Sequence, residues 1–396
     1  MRTRSVAVTI VALVSLLLSC APDDSSEGAS APTASSGVTE EGTASGEESP
    51  TEPPAEAATD AAAEDGFAAV LAEVEGLAGQ ERLDRLAELA AEVGDVTLYT
   101  SISESISSEL FGAFEDDTGV GITLYRADNA TVAERLAQEA DAGVTGADVV
   151  ETDGVTLASL NQQGHLRPYE PPYADQLTEG AVQNGWTATR FNIFTVAWNT
   201  NAVSEDERPK TYLDLADPKW AGRLAMDAGD YDWYMALHKY LVDDQGMSQE
   251  DVDEFFTNMA SNAAFLTGHT SVRQLLVAGE YHVMASDYSY GVQAALEDGA
   301  PIAWQPPVEP LFARPNGVAL AQGGQNPAGG ILFYDWILNA GQEVLKSVNV
   351  DPVRADLAST GDADLRLLDV EVFLEEEEMW VQAYDELALM GEAPKG

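Results

Sequence analysis

Apolar positions recur at helical spacing from Phe67 to Val93, with Leu83, Leu86, Leu89 and Ala90 on one face. Gly94 supplies a stop for that helix. The period then changes to alternating strand and helix. Short β-rich runs at 96–100, 121–125 and 147–152 predict strands, and the segments between them, at 101–114 and 131–140, predict helices. Asn129 or Thr131 is the candidate cap for the second of these helices. A further helix is expected through Leu160 to Gly164. Such alternation argues for an α/β fold with a mostly parallel sheet covered by helices.

The pattern resumes after Asn199. Residues 212–215 read as a short helix and 224–226 as a strand, with helices at 231–242, 248–258 and 271–278 and a strand at 281–286. In open α/β sheets ligands gather beyond the carboxyl ends of strands. That rule singles out Ser101, Ser103, Arg126, Thr152 and Asp153. In the later segment, Tyr231 opens a helix, Thr270 and Ser271 stand at a helix start, and Tyr288 and Tyr290 follow a strand. Free backbone N–H groups at a helix start favour an anion. Polar-tipped aromatics suit the wall of a ligand site.

Two segments ahead of the first helix have no such pattern. Arg2 and Arg4 precede an uncharged run at 5–19, the profile of an export signal and too short for the roughly 20 residues of a membrane span. Residues 21–65 are, apart from Val38, Ser, Thr, Pro, Ala, Gly and acid, with 12 acidic residues and no lysine or arginine. They cannot bury enough apolar area to fold, so a disordered linker is expected over 20–65.

Charge narrows the function classes. The 396-residue chain carries a formal net charge of −49, with 68 acidic residues against 19 basic ones. This excludes a nucleic-acid grip and an electrostatic hold on anionic lipid, and it favours solubility. Motifs for hydrolase, nucleotide and dinucleotide chemistry are lacking. His165, His238, His269 and His282 are scattered in sequence and form no close zinc pair. No enzymatic activity is expected. Cys20 is the only cysteine, which leaves no internal disulfide and no cysteine-based metal site.

Leu17-Leu18-Ser19-Cys20 resembles the lipobox of bacterial lipoproteins, in which the cysteine is acylated after cleavage. The resemblance implies a signal peptide at 1–19 and a chain exported and lipid-anchored through Cys20 to the outer face of the cell membrane. From Leu86-Ala87-Glu88-Leu89-Ala90 and the strand at 96–100 onward, the chain resembles family 1 extracellular solute-binding proteins of ABC importers, near their iron(III)-binding branch. The resemblance runs through Phe114 to Gly119, Ala147-Asp148-Val149-Val150 and Trp198-Asn199-Thr200. It continues in Leu215 to Arg223, Ala278-Gly279-Glu280 and Phe333 to Leu338.

The resemblance implies a two-lobed periplasmic-binding-protein fold with a hinge and a ligand cleft between the lobes. An N-terminal helix at 66–94 would precede a binding domain at 95–396, with lobe 1 at about 95–197 plus a return segment and lobe 2 at about 200–290. The chain would cross between lobes near Phe194 to Thr200 and return between Ser286 and Gln305. The implied partners are a membrane permease with its ATPase and a small solute, with the protein a monomer and no resident cofactor. Iron-binding relatives use adjacent tyrosines of the second lobe; the matching stretch here is Asp287-Tyr288-Ser289-Tyr290-Gly291. An extended backbone there would put Tyr288 and Tyr290 on one face. Iron(III) is the cargo this family likeness implies, with Tyr288 and Tyr290 as its ligands. Arg126 and the hydroxyl-rich loops leave open a small organic anion, a phosphonate or carboxylate. A surface sensor on the same fold is the reading outside transport.

Overall fold

The computed structural model describes residues 66–392 except 145, 359 and 362, all within one unit, Pro53–Gly396. Cys20, the export segment and the acidic linker lie outside the described residues. The strands are β1 Val96–Thr100, β2 Ile122–Arg126, β3 Val149–Asp153, β4 Leu166–Arg167, β5 Thr187–Asn199 and β6 Leu224–Asp227. They continue as β7 Ala263–Leu266, β8 Val283–Tyr288, β9 Ile302–Ala303, β10 Leu311–Ala321, β11 Asp351–Pro352 and β12 Leu365–Leu367.

One sheet runs in the order β2-β1-β3-β10-β5-β8-β6-β7. Its two ends are parallel: β1 pairs with β2 and β3, and β6 pairs with β7 and β8. Its centre is antiparallel, because β5 and β10 run past each other and join the two ends. Parallel ends require covered faces, and the near-continuous burial of β3, β6 and β8 reflects that. The edge strand β2 exposes Thr123 and Leu124.

The 13-residue β5 serves both halves. Its first residues face β10 near Gly317 and Val318, and its last face β8 and β9. The pairing with β8 slips between Thr195 and Ala197. A bulge of this kind bends a strand and raises its twist, which suits a strand shared by two lobes. Two apolar cores flank this centre. One holds Leu98, Phe114, Val149, Phe333 and Trp336; the other holds Trp198, Trp220, Trp233, Phe256 and Tyr384.

Several boundaries differ from expectation. The helix after β1 is Glu104–Thr118 and starts late, because Ser103 is extended and the Ile102 N–H goes to Thr100 Oγ1 at 3.0 Å. Asp128 caps the helix Asn129–Asp141, accepting from the Thr131 N–H at 2.9 Å; neither Asn129 nor Thr131 does so. The return strand is β10. The 286–305 interval instead completes the second half with the end of β8, the helix Ser289–Glu297 and β9. The single helix expected at 66–94 is interrupted at 74–78, and its second part, Gly79–Val93, is pinned to the helix Pro327–Ile337. Arg82 donates to Asp335 at 2.7 Å and to the Tyr169 hydroxyl at 3.0 Å, and Tyr169 donates to Asp335 at 2.7 Å.

Candidate functional site

The sheet's register gathers the first group of candidates. Thr100 stands opposite Arg126 on β2 and opposite Glu151 on β3, so the strand ends form one rim. On that rim Ser101 Oγ and Thr152 Oγ1 are 2.8 Å apart. Asp153 caps the helix Gly154–Gln162, accepting from the Thr156 N–H at 3.0 Å and its hydroxyl at 2.7 Å. Arg126 is exposed and donates to the Ile102 carbonyl at 3.4 Å. Ser103 is exposed at the helix start.

A cavity of about 460 Å³ lies beside Asp153; Ser101, Ser103 and Arg126 do not line it. Asn129, Asp153 and Thr156 line one side, Tyr231 and Asp232 the other, and Arg314 of β10 the floor between them. The helix Val370–Glu392 closes one flank through Phe373 and Glu377. Asp153 and Tyr231 therefore meet in one cleft. Thr270 and Ser271 are exposed in the first turn of the helix His269–Ala278 and do not line it.

The two tyrosines lie together for a reason the spacing does not give. Tyr288 ends β8, and Tyr290 belongs to the first turn of the helix Ser289–Glu297. This corner stacks their rings at 5.6 Å and 15°. Tyr288 is buried, packed on the His269 ring at 3.9 Å, and its hydroxyl accepts from Arg314 Nη1. Burial pushes the Tyr288 phenol well above its ordinary range, with Arg314 opposing and Asp230 and Asp232 adding to the rise. Burial also raises Tyr290, while Arg273 and Arg190 pull it back. Tyr290 borders a second cavity of about 270 Å³ with Ser289, Trp304 and Asp351.

The charged frame was less visible in sequence. Arg314 is a fork on Asp232, at 2.6 Å and 2.5 Å. Arg273 is a fork on Asp287, at 2.8 Å and 2.7 Å. A methyl group at Gly291 would lie 2.1 Å from Arg273 Nη2, so glycine there makes room for that guanidinium. Arg190 of β5 pairs with the buried Glu151. Each of these arginines thus already meets a carboxylate. Asp227, Asp230 and His269 form a third group, with ligand atoms within 4.8 Å of one another. The group is not visible along the chain because its three residues come from β6, the residue before the helix Tyr231–Lys239 and the start of the helix His269–Ala278. The one local signal was Asp227-x-x-Asp230 directly after the 224–226 strand. Asp230 does not cap its helix through its side chain, whereas Trp233 is in the core.

Two parallel half-sheets joined by two long antiparallel strands, with a polar cleft against them, define the two-lobed fold of periplasmic binding proteins. Residues 146–309 match the family described as bacterial extracellular solute-binding protein, so the resemblance read from the sequence is shown over that stretch. The chain is 24% identical over 199 residues to the Fe(3+)-binding periplasmic protein of Serratia marcescens, covering 49% of this chain and 57% of that protein. It thus spans little more than half the length of that curated relative. Iron-bound HitA from Pseudomonas aeruginosa superposes with a TM-score of 0.61 at 18% identity, over 74% of this chain and 99% of that one. AfuA from Actinobacillus pleuropneumoniae, solved with fructose-6-phosphate, gives 0.60 at 19% identity, over 75% and 99%. The structural likenesses establish the fold, and a fold of this kind leaves the cargo open. The matched family is one of solute binders, and no described helix is long and apolar enough to cross a membrane.

Proposed function

We propose that the chain is the substrate-binding component of an ABC importer, with iron(III) as its cargo. The observation that carries this reading is the stacked pair Tyr288 and Tyr290 beside Asp230 and Asp232. Hard cations favour oxygen donors of this kind, and a bound cation supplies the charge that releases a buried phenol's proton. Lobe closure about β5 and β10 would then enclose the ion. The matched state of Arg190, Arg273 and Arg314 also supports a cation, since an anion would have to compete with Glu151, Asp287 and Asp232. Acylation of Cys20 would hold this monomeric receptor beside its permease, with the acidic linker giving reach.

The experiment is a thermal-shift series on the full chain with iron(III)-citrate, citrate alone, phosphonates and small carboxylates. A ligand at 100 times its dissociation constant stabilises by about 2.7 kcal/mol. Expected is a rise in melting temperature with iron(III) alone. A rise with phosphonate or carboxylate that disappears in Arg126→Ala assigns the cleft to an organic anion instead. No response to any of them turns the reading toward a sensor.

A further inference from the structure

We propose that Asp227, Asp230 and His269 form a transition-metal site beside the tyrosine pair, with ligands other than the two phenols. The proposal deepens the cation-cargo reading and rests on it for placing the ion in this lobe. Asp227 ends β6, Asp230 precedes the helix Tyr231–Lys239, and His269 opens the helix His269–Ala278. Three separate elements thus converge on one point. His269 Nε2 lies 3.1 Å from Asp230 Oδ2, and its Nδ1 lies 3.5 Å from Asp227 Oδ2.

The second observation is what these carboxylates lack. Asp227 is 5% exposed and Asp230 is fully buried, yet Asp227 Oδ2 and Asp230 Oδ1 have no hydrogen-bond partner. A buried carboxylate oxygen without a donor is costly, and natural proteins rarely leave one without a purpose. The neighbouring arginine does not fill the gap. Arg314 is committed to Asp232, and its Nη2 stays 3.7 Å from Asp230 Oδ1. A metal cation takes the place of the missing donors. Two carboxylate oxygens and one imidazole nitrogen suit iron, manganese, cobalt or zinc better than calcium or magnesium, which take oxygen alone.

Cobalt(II) chloride is the probe, titrated into the full chain and followed by its visible d–d bands and by calorimetry. Expected is one cobalt per chain. Asp230→Asn, Asp227→Asn and His269→Gln should each weaken binding about tenfold or more, and Tyr290→Phe should leave it unchanged. The asparagine variants keep the size and an acceptor, and circular dichroism reports whether each variant is folded. Absence of cobalt binding in the wild type overturns the site, and so does unchanged affinity in folded Asp230→Asn and His269→Gln. Stabilisation by iron(III) without cobalt binding at the cluster removes this site and leaves the cargo reading standing. Cobalt binding at the cluster without any iron(III) response supports the site and removes iron as cargo.

Discussion

Two buried charge clusters in this chain have opposite endings. In the first, Arg82, Asp335 and Tyr169 satisfy one another, and the triad ties the N-terminal helix to the helix Pro327–Ile337. In the second, Asp227 and Asp230 share one imidazole and keep two oxygens without donors. Both sit at low exposure, so both bear the desolvation of charge. The difference lies in completeness. A closed set of partners is a structural lock. An open one is a place where stability has been left for a ligand to supply.

The largest expected effect is on the closed cluster. Arg82→Ala strands Asp335 without its cation and should cost about 3–5 kcal/mol in chemical denaturation. A cost below about 1 kcal/mol would remove the contrast between the clusters.

Asp351 lies between the two extremes, with one donor, the Ser289 hydroxyl at 2.9 Å. Burial raises its carboxyl from the ordinary 3.8 to about 6, with Ser289 opposing. The folded state therefore holds this proton more tightly than the unfolded state. Its contribution is complete below pH 3.8 and is lost as the pH rises through about 6. The loss is on the order of 2–3 kcal/mol. Asp351→Asn keeps the acceptor and should recover that amount at pH 7, flattening the stability profile between pH 4 and 6. An unchanged profile in the variant would contradict the assignment.

Next in size is Asp153→Ala, which removes a helix cap at the cleft rim. Its expected cost is about 1 kcal/mol by thermal denaturation, with Asp153→Asn near zero. Equal losses in both variants would point to charge in place of capping. The smallest stability effect belongs to the open cluster. Asp230→Asn should change the stability of the metal-free chain by less than about 1 kcal/mol, or raise it, because it removes the repulsion between two buried carboxylates that share one imidazole while keeping an acceptor for His269. A loss like that of Arg82→Ala would mean that this cluster is also a lock.

Much of the fold was legible in local pattern. The period change at Gly94, the strands at 96–100 and 147–152 and the helices around 231–242 depend on neighbours in sequence, and they stand close to where the pattern put them. The return crossing was not legible, because 286–305 carries its own strand–helix–strand pattern and the joining strand comes only at Leu311–Ala321. The site was legible to the extent that strand ends mark a rim. Register brings Thr100, Arg126 and Glu151 together. Asp153 and Tyr231 share a cleft, and Tyr288 stacks on Tyr290. Arg190, Arg273 and Arg314 were not found, since each depends on a carboxylate from a distant segment. His269 looked isolated for the same reason.

The central claim is that the tyrosine corner binds a hard metal cation. Iron(III)-citrate titration of the full chain, followed by visible absorption, tests it most directly. Expected is a phenolate-to-iron charge-transfer band that saturates at one iron per chain and is lost in Tyr288→Phe or Tyr290→Phe. No band in the wild-type chain, or a band untouched by both substitutions, would contradict it.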